Sequence, residues 1–315
     1  MVEGHNKLIS LLLPLPEISP MTIITGSDDC DIKIWNSLPM TLIKILKGHQ
    51  DYVTSIIYVG NNLIVSSSGD STIIAWDINS PDQIIKPKST FQVGEIIYSL
   101  LYLKEYKEIS NLILLGSEKG LKMFNIDSGQ VIKTYDKKAT RFCTNLFDYS
   151  FIAKNVVFFS SHKYINFFNI ETGLEVKKLK GHDELIHTLN HFKYNSENYI
   201  ATIAWDLIIN IWHINKSDIN NSTVIMKLKN DLQSWVRSTL VVREFLIISY
   251  GNDKNGKIWK LNFDTKEFIH IKNLVFESDN VKIALLEGVK DKFSNNKIIV
   301  SLSEGKNLTN YMFKV

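Results

Sequence analysis

The sequence predicts an all-β fold of seven repeats, stacked or closed in a circle, in place of two ordinary domains. Three observations carry that prediction. A strand ending in an aromatic residue recurs at Trp35, Trp76, Phe124, Phe168, Trp212, Trp259 and Phe313, spaced 41 to 54 residues apart. Each is preceded by an apolar run and a turn drawn from serine, threonine, aspartate and their substitutes. Three units open with Gly-His, at His5, His49 and His182. Seven such units use all 315 residues, and self-similarity at a fixed period is the mark of repeat architectures.

The elements follow one register. In the first unit, residues 22–25 and 32–35 are β-branched and aromatic runs on either side of the turn Asp28-Asp29, and 41–47 is an outer strand. The second repeats this with 63–66 and 73–76 around Gly69-Asp70. Units three and four keep the apolar rhythm but place Phe124 and Phe168 where Trp stood, and Glu118 and His162 at the turn position. Residues 175–180 and 223–229 are further outer strands, apolar on one face and lysine-bearing on the other; lysine at an edge discourages sheet-to-sheet pairing. Unit five restores the full pattern, unit six has Ser249, Asp253 and Trp259 without Gly-His, and unit seven has Asn307 at its turn. Short runs with a period of two between turn residues read as strands. Residues 215–221 and Asn295-Asn296 read as loops, and no segment has a helical period.

In the complete units a Ser or Thr precedes the turn Asp by four residues, and Trp follows it by six. These residue types suit a hydrogen-bond relay. Aspartate accepts from one ring nitrogen of His, the other nitrogen meets a hydroxyl, and the hydroxyl accepts the indole N–H. Buried polar groups need such partners, so the expected role is structural. The three relays are His5, Thr25, Asp29 and Trp35; His49, Ser66, Asp70 and Trp76; and His182, Thr202, Asp206 and Trp212.

Gly48-His49, Asp70 and Trp76-Asp77 make the chain similar to the WD40 repeat family. The resemblance covers essentially the whole length and implies a seven-bladed WD40-type β-propeller, each blade a four-stranded antiparallel sheet around a central channel. The implied blades are 4–47, 48–92, 93–138, 139–180, 181–230, 231–275 and 276–315 of a single domain. In that family the first strand of the chain completes the last blade. Only Met1, Val2 and Glu3 precede the first Gly-His, so a three-stranded last blade is expected, with an edge open to pairing with another chain.

Composition bounds the function. The sequence is 44% hydrophobic and 22% charged with a net charge of +3, too small for a dedicated nucleic-acid binder, which concentrates a basic face. Arginine occurs only at Arg141, Arg237 and Arg243, which removes the side chain best suited to bidentate phosphate contacts. Two cysteines, Cys30 and Cys143, form neither a disulfide framework nor a metal pair. The apolar start at residues 8–15 is interrupted by Pro14 and lacks a cleavage site, and no run approaches the roughly 18 apolar residues of a membrane span. The expected location is the cytoplasm or nucleus, with no membrane or nucleic-acid partner. His187 and His191 have the spacing of a zinc helix, but the segment reads as a strand and a glutamate is missing. No catalytic motif, metal site or cofactor is expected.

The resemblance implies instead a scaffold or adaptor for other proteins or peptides, docking on the narrow face. Trp205 immediately precedes Asp206, and neighbours on an extended segment point oppositely, so Trp205 faces the rim; Asp28, Gly69, Ser117, Ser161 and Asn252 are its equivalents. The resemblance implies a second set of contact positions, the residue before the first apolar residue of each inner strand: Tyr52, Ile96, Leu185 and Trp235. Tyr52, Trp205, Trp235, Asp28 and Asn252 are therefore the expected partner-binding residues, Trp and Tyr being the types that dominate binding hot spots. Two alternatives remain at this point: a substrate-recognition subunit of a ubiquitin ligase or other complex, and an enzyme or small-molecule sensor using the channel.

Overall fold

The computed structural model describes residues 2–104, 106, 109–135, 144–148, 155–215, 218–229, 236–242, 244–250, 254–276, 281–285 and 297–314. Among them, strands form seven sheets, mostly from consecutive stretches of the chain, and the helical content is one 3-10 turn, Ile219–Asn221, whose start the Asp218 carboxylate caps. Among the described residues no helix is long and apolar enough to cross a membrane. The first sheet runs Ile9–Pro14, Thr22–Ser27, Ile32–Ser37 and Met40–Leu46. The second runs Val53–Gly60, Leu63–Ser68, Thr72–Asp77 and Ser89–Gln92. The expected runs 22–25, 32–35, 63–66 and 73–76 are thus the cores of their strands, and the outer strand expected at 41–47 lies one residue earlier.

The chain divides into two units, one of residues 1–115, 124–130 and 280–315, the other of 116–123 and 131–279. In the first, neighbouring sheets pack face to face. Ile24, Ile32, Ile34 and Leu46 meet Val53, Ile56, Ile64 and Trp76, while Val65, Ile73 and Ala75 meet Ile97, Ile113 and Phe124. In the second, Phe158 and Phe167 pack on Ile200 and Trp212, and Ile209 and Ile211 on Leu246 and Trp259. Each fully buried large side chain contributes about 1.5–3 kcal/mol. Both units are built from the blades of an all-β β-propeller.

Recurrent bulges shape the inner strands, where register shifts at Ile9/Leu11 and at Val53/Ser55. The extra residue reaches the adjacent sheet. Ser10 donates to the Val53 carbonyl at 2.9 Å, and Thr54 to the Ile97 carbonyl at 2.6 Å. The first sheet also gains a fifth strand, Ile84–Ile85, parallel to its outer strand.

The last sheet corrects an expectation. It has four strands, because Val2 and Glu3 pair antiparallel with Leu308 and Asn307, so the edge expected to be open carries a strand of the chain itself at these two positions. Two residues suffice because the contact continues beyond the ladder. The amides of Gly4 and His5 both donate to the Lys306 carbonyl at 3.0 Å, and Leu308 packs with Ile9, Leu12 and Trp35.

Candidate functional site

The three relays close with nearly superimposable geometry. Trp35 Nε1 donates to Thr25 Oγ1 at 2.9 Å, that hydroxyl lies 2.7 Å from His5 Nε2, and His5 Nδ1 is 3.0 Å from Asp29. The corresponding distances are 2.8, 2.8 and 3.0 Å for Trp76, Ser66, His49 and Asp70, and 2.8, 2.8 and 3.0 Å for Trp212, Thr202, His182 and Asp206. An ionised aspartate only accepts, so Nδ1 carries the proton, and at His49 and His182, where burial disfavours the charged ring, Nε2 accepts from the hydroxyl. For unit six the Ser249 side chain and Asp253 lie outside the described residues, as does the Phe313 side chain of unit seven.

Electrostatics fit this assignment. Burial pushes the His49 and His182 imidazoles below their ordinary value, against the pull of Asp70 and Asp206. Burial alone would push Asp29 and Asp70 up. It is outweighed at Asp29 by His5 and the amides of Asn6 and Asp31, and at Asp70 by the Thr72 hydroxyl and the amides of Gln50 and Thr72. Both carboxylates are held below the ordinary range.

Each aspartate also fixes two loops. Its second task is to accept the amide following His: Asn6 and Gln50 at 2.8 Å, Asp183 at 3.0 Å. Its third is to accept the amide two residues on, from Asp31, Thr72 or Ile208. The intervening residue is forced to positive φ, 72° at Cys30, 64° at Ser71 and 58° at Leu207, a conformation costly for a bulky residue such as leucine. The glycine before His is dictated by close neighbours: Lys306 and Leu308 at Gly4, Pro87 and the Trp76 indole at Gly48, and the Trp212 indole at Gly181. A Cβ on Gly181 would lie 2.4 Å from Trp212, and one on Gly48 would lie 3.0 Å from Trp76.

The rim residue and the one ahead of the inner strand are joined across this locked turn. The Trp205 amide donates to the Leu185 carbonyl at 3.0 Å, Gly69 to Tyr52 at 2.9 Å, and Asp28 to Leu8 at 2.9 Å. The first two pairs each carry one aromatic, and the third pairs Asp28 with Leu8. Trp205 is 57% exposed, and Tyr52, 36% exposed, lies over Gly69, whose added Cβ would meet its ring at 2.5 Å. Asp28 is half-buried. Ser117 departs from expectation: it is buried and donates to the Gly120 carbonyl. Trp235 and Asn252 lie outside the described residues. Sequence reasoning missed Leu8, 42% exposed, although it holds the position of Tyr52 one residue before Ile9.

Units three and four replace the relay with aromatic edges. Phe91 meets Phe124 edge-on at 5.3 Å, and Tyr135 meets Phe168 at 5.3 Å while its hydroxyl donates to the Ile170 carbonyl. His187 and His191 lie on the strand Ile186–Tyr194, with His191 Nε2 3.2 Å from Asn198 Oδ1. No group of three or more metal-ligating residues occurs among the described residues.

Residues 3–36 and 40–77 match the profile of the WD domain, G-beta repeat, of the WD40 family. The chain is 26% identical over 151 residues to the small ribosomal subunit protein RACK1y of Oryza sativa subsp. japonica, covering 46% of this chain and 43% of that protein. It is 23% identical over 284 residues to the nuclear distribution protein nudF of Aspergillus niger, covering 82% and 60%. It is 27% identical over 186 residues to the WD40 repeat-containing protein smu1 of Dictyostelium discoideum, covering 56% and 33%. The chain thus spans less than two thirds of the length of each of these relatives.

Proposed function

We propose that this chain, which carries WD40 repeats, is a non-catalytic scaffold of seven blades that holds other proteins or peptides at the turns fixed by its aspartates. The reading is supported above all by Trp205. Its ring is 57% exposed, yet its backbone is tied by its own amide to Leu185 and flanked by Asp206, itself bonded to His182. An aromatic held this way meets a partner without first being ordered, which lowers the entropic cost of binding. Tyr52, seated on Gly69, offers the same chemistry on the first unit, with Asp28 and Leu8 beside their own turn. The reading extends to Trp235 and Asn252 by their sequence positions, and to a cytoplasmic or nuclear setting by the two-cysteine composition.

The test is affinity capture from the native cell with wild type and Trp205→Ala side by side. The variant is expected to lose at least one specific partner while its melting temperature stays within about 2 °C of wild type. Retention of every partner would overturn the assignment of Trp205.

A further inference from the structure

We infer that the first unit carries a second docking site, at the end of its inner strands opposite the relay turns, for a peptide of another protein that presents a bulky apolar side chain next to a lysine or arginine. The inner strands Ile9–Pro14 and Val53–Gly60, which begin at relay turns, and Ile97–Tyr102 of the third unit finish around a groove of about 240 Å³. Its surface is formed by Leu13, Leu15, Ile57 and Leu101, with Tyr58 and Tyr102 adding polar tips. Leu15 is buried and packs with Ile24, Ile56 and Ile64. The apolar floor is therefore continuous with the core between the first two sheets.

Size and charge select the occupant. Pockets for drug-sized ligands run to roughly 300–1,000 Å³, so this groove takes one or two large side chains, not a cofactor. Pro14 lines the wall, and the turn after it is tied by Ile18 donating to Leu15; the groove is preformed. Glu17 is the charged residue lining it, and it is exposed, with no cation among the lining residues. An apolar anchor alone would leave that carboxylate beside a drying surface, whereas a neighbouring cation on the same peptide pairs with it. The site shares with the proposed function only the premise that proteins are bound. Its residues do not overlap Trp205 or Tyr52, so either assignment fails without the other.

The test uses the full chain labelled at Ile and Leu methyls, titrated with N-acetyl-Trp-Arg-amide and with N-acetyl-Trp-Glu-amide. Expected are saturable shifts at Leu13, Ile57 and Leu101 in the low millimolar range, about threefold tighter for the arginine peptide. Glu17→Gln, at an exposed site, should keep the shifts and erase that preference. Equal affinities of wild type for the two peptides, or no saturable shifts at these methyls, would overturn the proposal. So would the same methyls shifting with protein concentration alone, which would assign the groove to a second copy of the chain.

Discussion

The carboxylate of Asp70 gathers four donors: His49 Nδ1 at 3.0 Å, the amides of Gln50 and Thr72 at 2.8 Å, and the Thr72 hydroxyl at 2.6 Å. Its position six residues before Trp76 is all the sequence displays, yet one oxygen pair fixes the entry to the inner strand, the turn and the imidazole together. Removing it leaves buried donors without acceptors, which costs about 1–3 kcal/mol. Asp70→Ala is expected to lower the urea midpoint correspondingly with an unchanged slope, measured by equilibrium unfolding. His49 is the more deeply placed partner, its side chain fully covered. The spacing of Asp, Ser or Thr, and Trp made these roles legible, because hydrogen-bond chemistry at fixed offsets leaves few other uses for such residues. Tyr135 was not legible. It does for Phe168 what histidine does for Trp, by ring edge and hydroxyl, but through a different residue type outside the repeat pattern.

Strands and their junctions carry the next level. The indole of Trp212 rests on Gly181 so closely that an added Cβ would sit 2.4 and 2.5 Å from its ring. A rigid ring in a packed sheet cannot yield at low cost, and overpacking of this kind costs about 1–3 kcal/mol. Gly181→Ala should therefore destabilise the protein by that amount and alter the near-ultraviolet signal of Trp212, read by thermal melts and circular dichroism. The middle strands of the first two units and several outer strands were legible from period-two alternation between turn residues, whereas the bounds of the inner strands were not. The closing strand Val2–Glu3 was not, because two residues are too few to show alternation, and its anchoring lies in Gly4, His5 and Leu308. The Ser10 and Thr54 contacts escaped for a related reason. A bulge that turns a side chain towards the adjacent sheet is set by tertiary pairing, not by the local sequence.

For the molecule as a whole, the relays couple folding to proton uptake. His49 and His182 have folded values depressed by burial, so below the ordinary 6.5 of the unfolded chain the unfolded state binds more protons. Stability is therefore complete above that value and declines as pH falls through it. Asp29 and Asp70, also depressed, add a further loss of the same sign below the ordinary 3.8. Urea midpoints at pH 7.5, 6.5 and 5.5 should fall in that order. A midpoint that rises on acidification would show that the imidazoles are charged in the native state. The exposed side chains at these turns were only partly legible. Aromatic type picked out Tyr52 and Trp205, but Leu8 drew no notice, because its exposure follows from its place beside Asp28 and not from its identity.

The strand Ile84–Ile85 has an effect beyond its length. The amides of Ile45 and Lys47 already donate to Gln83 and Ile85, and the Lys44 ammonium to the Ser80 carbonyl. A foreign chain seeking to template itself on that margin finds those positions taken, so the first sheet is guarded against runaway assembly by its own connecting segment.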